Sequence, residues 1–144
     1  MEIKNKNKTF DVKIKNFVND NYYAIEVVLN KKVAGTATFK KNGNKIWLYK
    51  IKTNEEFQHQ GIGGAVIDTL ELFAMKNNGH YIEGKFFPEN EHAKQFYENR
   101  GYDIYKDNYE TYIYKMLDFE KIKQEIEPSI KNYSVINIEH ELKL

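Results

Sequence analysis

Cysteine is absent from all 144 residues. Its absence excludes a disulfide framework, a thiolate nucleophile and any cysteine-ligated metal, so catalysis would have to rest on other groups. An excess of one charge is missing as well. The 22 Lys and Arg stand against 21 Asp and Glu, a balance that gives no large positive field to attract a phosphate backbone or an anionic membrane. Nucleic acid and membranes are therefore not expected partners. Met1 to Thr9 is mostly Lys and Asn, with neither the apolar core of a signal peptide nor a bilayer span, and a cytoplasmic location is the expectation. Proline occurs only at positions 88 and 128. What the chain does have is 41% hydrophobic and 15% aromatic residues, enough apolar material to offset the entropy lost in folding one domain-sized chain.

Hydrophobic periodicity divides the chain into elements. Phe10, Val12 and Ile14 alternate with charged residues up to Phe17, the period of a half-buried strand. Asn19 to Asn21 make a turn, and Tyr22 to Leu29 and Val33 to Phe39 form a hairpin. A second hairpin turns at Asn42, Gly43 and Asn44 into Ile46 to Thr53. The alternation predicts a meander with one face buried and the other covered by helices. The period then lengthens. Ile62, Ala65, Val66, Thr69, Leu70 and Phe73 share one helix face. His80 to Phe86 is a short strand, Asn90 an N-cap, and Ala93, Phe96 and Tyr97 the inward face of a second helix that Gly101 ends. Ile104 to Tyr105 and Tyr109 to Met116 close the sheet as a hairpin, and a helix is predicted over Leu117 to Glu127 before a final segment.

Two stretches carry chemistry. Gln58-His59-Gln60-Gly61-Ile62-Gly63-Gly64-Ala65 lies between a strand and an amphipathic helix. Residues without Cβ let backbone amides approach an anion, and first-turn N–H groups with the helix dipole favour negative charge, so a pyrophosphate fits there. The alternative is a plain strand-to-helix turn. Val66 stands where a Rossmann fingerprint has its third glycine, and no Gly-Lys-Ser/Thr ending is present. The second stretch runs Asn90-Glu91-His92-Ala93-Lys94-Gln95-Phe96-Tyr97-Glu98-Asn99-Arg100-Gly101-Tyr102. Gln-x-x-Gly-x-Gly followed by Asn-x-x-Ala-x-x-Phe-Tyr-Glu-x-x-Gly-Tyr resembles the GNAT superfamily of acyl-coenzyme A dependent N-acyltransferases, over roughly Tyr22 to Met116.

That resemblance implies an α+β fold: a mixed, mostly antiparallel sheet with flanking helices, whose central strands splay to admit a pantetheine arm. Acetyl-coenzyme A is the implied co-substrate and a primary amine the acceptor. The backbone of Gln58, His59, Gln60, Gly61, Ile62, Gly63 and Gly64 would hold the pyrophosphate, while Ile51, Thr53 and Asn90 would contact pantetheine. Asn90 is equally a helix cap. Tyr97 would protonate the departing thiolate, a role open to a phenol that stays protonated at neutral pH; packing is its other reading. The chain departs from the family in two respects. Leu48 to Thr53 carries no carboxylate, which leaves Glu55, Glu56, Glu83 or a water chain as the base, and Asn16 to Asn21 is too short for the helices that usually follow the first strand. A noncatalytic acyl-coenzyme A binding module is the alternative function. The histidines at 59, 80, 92 and 140 lack metal-ligand spacing, and no metal is expected. Residues 1–116 form the acyltransferase domain in this reading, and 117–144 a helical extension packed on it or on a second copy in a homodimer.

Overall fold

The computed structural model describes residues 10–87 and 91–139. Strands β1 (Phe10–Phe17), β2 (Tyr22–Leu29), β3 (Lys32–Asn42) and β4 (Lys45–Thr53) make an antiparallel meander. Its turns place Asn21, Asn30 and Gly43 at φ 56°, 55° and 60°, a left-handed conformation that Asn and Gly tolerate best. Helix α1 (Ile62–Lys76) then carries the chain back so that β5 (Tyr81–Phe86) runs parallel to β4, as parallel neighbours require. Helix α2 (Glu91–Asn99) precedes the hairpin β6 (Asp103–Lys106) and β7 (Thr111–Met116), which pairs with β5. The sheet is mixed and mostly antiparallel, and between β1 and β2 only one short turn, Val18–Asp20, stands in place of helices. The α+β class and the shortened first connection are thus present as expected.

The C-terminal region is helical over less of its length than expected. After α3 (Phe119–Lys121) come a wide turn, Ile122–Ile126, and a tight one, Glu127–Ser129. The chain then becomes β8 (Ile130–Ile138), parallel to β1, so the strand order is β6-β7-β5-β4-β3-β2-β1-β8. Alternating Tyr133, Val135 and polar neighbours suit a sheet edge, and Pro128 ends the helical stretch. The segment crosses beneath α1: Ile122 is buried, Lys76 pairs with Glu127 at 3.3 Å, and Lys76 lies over the Tyr133 ring.

The second difference concerns cover. Val12, Ile14, Ile25, Val27, Ala37, Phe39, Ile46, Leu48, Ile82 and Ile113 point to one face and meet the helix stripe of Ile62, Val66, Leu70 and Phe73. Helix α2 lies on that face too, because Tyr97 packs on Phe86 and Tyr102 hydrogen-bonds Glu71 of α1. Among the described residues, no strand side chain on the opposite face is buried. The alternation predicts helices over the second face, yet both α1 and α2 lie on the one apolar face, because that face can bury both helix stripes. Gly35 permits the close approach of α1: a Cβ there would sit 2.5 Å from Ile62 Cγ2.

Candidate active site

The site begins where two strands part. β4 and β5 pair only from Lys45–Tyr81 to Leu48–Gly84. Along β3 the register moves from Thr38–Lys50 to Phe39–Leu48, so Tyr49 is an extra, bulged residue at the point of separation. The bulge resets the pleat and turns Ile51 and Thr53 to the α1 side, where Thr53 Oγ1 lies 3.8 Å from the position a Gly63 Cβ would take. Beyond the bulge, the β5-facing backbone of residues 49–53 has no strand partner among the described residues. Gly84 makes the last close pairing possible, since a Cβ on it would lie 2.7 Å from the Leu48 carbonyl oxygen.

At the end of β4 the chain is pinned before it turns. The Asn54 N–H donates to the Ala34 carbonyl at 2.8 Å, its side-chain amide donates to the Val33 carbonyl, and Phe57 is buried beneath the turn Glu55–Phe57. His59 (φ 66°) and Gly61 (φ 79°) then adopt left-handed conformations, with Gly61 as the N-cap of α1. No side chain caps this helix and no acid lies in its first turn. The N–H groups of Ile62, Gly63 and Gly64 therefore have no intrahelical acceptor, and the helix dipole adds partial positive charge beside them. Nothing lies within 4 Å of the Cβ position at Gly61. Gln58, His59 and Gln60 are exposed along the same turn.

Gly64 has a further reason to be glycine that sequence reasoning missed. A Cβ there would lie 2.9 Å from the Arg100 guanidinium, which donates to the Gly64 carbonyl at 3.3 Å and pairs with Asp68. Arg100 thereby ties the end of α2 to the start of α1. Phe96 approaches Gly63, and the adjacent Tyr97 packs against Phe86 on the free end of β5, with ring centroids 6.2 Å apart. Helix α2 thus touches both sides of the opening. Burial pushes the Tyr97 hydroxyl up to about 12, and it has no hydrogen-bond partner among the described residues. Asn90 lies outside the described residues.

Of the three candidate carboxylates, Glu55 is exposed on the turn before α1, and the other two are engaged elsewhere. Exposed Glu56 accepts from Lys32 at 3.3 Å. Glu83 lies one residue before Gly84 on the helix-free face, paired with Lys45 at 2.8 Å and accepting from the Tyr105 hydroxyl. Burial pushes its carboxyl up, but the hydrogen bonds from Lys45 and Tyr105 outweigh that and hold it below the usual range. A groove of about 690 Å³ lies away from the strand opening, lined by Glu71, Asp118 and Ile122 among others. Four of its charged groups pair with one another, Lys115 with Glu71 and Arg100 with Asp68. Among the described residues, no three His, Asp or Glu come together as a metal site would require, and no helix is long and apolar enough to cross a membrane.

A parted mixed sheet beside an uncapped, glycine-rich helix start has the shape and the partial positive charge to suit an extended ligand with an anionic end. The chain belongs to the acetyltransferase (GNAT) family, whose sequence pattern matches residues 3–102. Among curated proteins none matches the chain in sequence. Solved structures share the fold. A GNAT-family acetyltransferase of Staphylococcus aureus Mu50 is 18% identical with a TM-score of 0.62, over 72% of each chain. The PaiA N-acetyltransferase of Thermoplasma acidophilum, in complex with coenzyme A, is 17% identical with a TM-score of 0.62, over 67% of this chain and 62% of that one. A GNAT-family acetyltransferase of Elizabethkingia anophelis with acetyl-coenzyme A bound is 17% identical with a TM-score of 0.62, over 69% of this chain and 78% of that one.

Proposed function

We propose that the protein is an N-acetyltransferase that moves an acetyl group from acetyl-coenzyme A to a primary amine. The observation that carries this reading is the junction of the β4–β5 opening with the uncapped start of α1. The two features fit two parts of one ligand: the N–H groups from Gln58 to Gly64 suit a pyrophosphate, and the free backbone edge around Ile51 and Thr53 suits an amide-bearing pantetheine arm. Acetyl-coenzyme A would supply the thioester carbonyl that a neutral amine attacks. N–H groups on that open edge would stabilise the developing oxyanion. As the carbon–sulfur bond breaks, Tyr97 would give its proton to the leaving sulfur and recover one from solvent. Neither Glu56 nor Glu83 is a free base, because each is ion-paired and the Glu83 carboxyl is held low. Water or the exposed Glu55 therefore takes the ammonium proton in this mechanism.

Substituting Gly61→Asp tests the phosphate assignment. The φ of 79° strains any L side chain, and the added carboxylate repels an anion. Calorimetric titration is expected to show coenzyme A affinity lowered by at least about tenfold, the effect of roughly 1.4 kcal/mol of repulsion and strain. Parental affinity in a folded variant would remove the assignment. The engaged carboxylates also favour a second reading, a noncatalytic acyl-coenzyme A binding module; thiol release with any amine in a panel would exclude it.

A further inference from the structure

The helix-free face carries a group of rings beside the strand opening. Trp47 on β4 and Glu83 on β5 are paired one step before the last contact, Leu48–Gly84. Next to them Tyr112 meets Trp47 edge-on at 6.3 Å and stacks on Tyr105 at 5.1 Å, with 22° between the planes. Tyr105 is 42% exposed, and on the opposite arm the bulged Tyr49 is 52% exposed. Tyrosine hydroxyls hold carboxylates in place within the group: Tyr105 donates to Glu83, and Tyr112 donates to Asp107 at 3.1 Å. Both carboxyls are held below the usual range. For Glu83 the hydrogen bonds from Lys45 and Tyr105 overcome the effect of burial; for Asp107 the Tyr109 and Glu110 N–H groups are the main cause. Lys45 lies over the Trp47 ring at 5.4 Å while pairing with Glu83, so the group already holds one ammonium on a π face against a carboxylate.

We infer that this ring group is the acceptor subsite, and that it takes a primary amine carried by a short linker on a planar aromatic body. The inference rests on the acetyltransferase reading given above. Lys85 and Tyr112 pair one residue beyond Gly84, so at roughly 3.3 Å per residue a ring stacked there is one short linker away from the opening. An aromatic body gains offset or edge-on contacts with Tyr105 and Tyr112. Its ammonium gains the π faces until it loses a proton at the opening. Among the described residues no α-helix covers this face, and none stands between β1 and β2, so the wall of the acceptor site is the sheet itself, and a flat surface of rings selects a flat partner.

The test compares 2-phenylethylamine with n-butylamine as acceptors, following thiol release at fixed acetyl-coenzyme A, with calorimetry of coenzyme A run alongside. Each kcat/KM is expressed per concentration of neutral amine at the assay pH, so that the difference in basicity cancels. The expected kcat/KM is about 3- to 10-fold higher for the aryl amine, the range one or two aromatic contacts supply. Tyr112→Leu should bring the two amines to parity by raising KM for the aryl amine, while coenzyme A affinity stays parental. Should Tyr112→Leu fail to fold, Tyr105→Leu at the short outer strand serves the same purpose. Equal kcat/KM for both amines in the parent, or an equal loss for both in the variant, overturns the subsite and leaves the acetyltransferase reading standing. Failure of the parent to bind coenzyme A overturns both.

Discussion

In the proposed mechanism, Tyr97 is where a single atom matters most. Its ring contacts Phe86, Phe96 and Tyr102, so Tyr97→Phe keeps the packing and removes only the hydroxyl. Turnover should fall by about 10²-fold or more, as loss of a general acid does, with little change in coenzyme A affinity. With its value pushed up to about 12, the hydroxyl stays protonated throughout the neutral range. Between about pH 6 and pH 9 the parent and the variant should therefore give parallel rate profiles, both rising with pH as the acceptor amine, of ordinary value near 10.4, loses its proton. A limb present in the parent and missing from the variant would mean that another arrangement titrates. Near-parental turnover would leave solvent as the proton donor.

Between elements, two ion pairs make different demands. Glu71 on α1 is buried and accepts from Lys115 of β7 at 3.1 and 3.2 Å and from Tyr102 at 2.8 Å. Lys115→Met leaves that carboxylate without its cation, and chemical denaturation should show a loss of about 3 kcal/mol. Adding Glu71→Gln should restore part of the loss, because a neutral amide still accepts from Tyr102. A loss below about 1 kcal/mol would mean that water reaches the carboxylate. The Glu83–Lys45 pair joins β5 to β4, and only 15% of the Glu83 side chain is exposed. Its carboxyl is lowered in the folded protein, so its contribution is complete above the unfolded value of roughly 4.5 and disappears as pH falls through the folded value. The stability difference between parent and Glu83→Gln should thus be present at pH 7 and close on acidification.

Across the whole molecule, the two sheet edges differ. β6 has four residues and bears Asp103 and Lys106, a short and charged edge of the protected kind. β8 has nine, with Lys131 as its one charge, and exposes Val135 and Ile136 by 45% and 41% on opposite faces. A second copy is the occupant expected along β8. Antiparallel self-pairing centred on Ser134 would set Lys131 against Asn137, so like charges do not meet. Light scattering should give a dimer mass for the parent and a monomer for Ile136→Lys, with the circular dichroism spectrum unchanged because that side chain is exposed in the single copy. The melting temperature of the variant should lose the concentration dependence of a dimer. A monomeric parent would end the homodimer proposal.

The sequence by itself determined the local elements and the glycine-rich turn proposed to hold the anion. The alternation from Phe10 to Thr53 and the stripe from Ile62 to Phe73 each belong to one element, and periodicity within an element follows from backbone geometry alone. Gly61 could be found for the same reason, since a left-handed turn at a helix start is a local demand. Tertiary structure decided whatever depended on distant partners. The bulge at Tyr49 exists because β3 and β5 make different demands on β4, and Gly84 must be small because of a carbonyl 36 residues earlier, that of Leu48. The strand β8 was hidden because its apolar residues gain a pleated surface only once β1 lies beside them. Glu83 was legible in sequence as a carboxylate on the strand His80 to Phe86, but its partners Lys45 and Tyr105 come from two other strands. Strand order alone set the face it occupies and the proton affinity it has there.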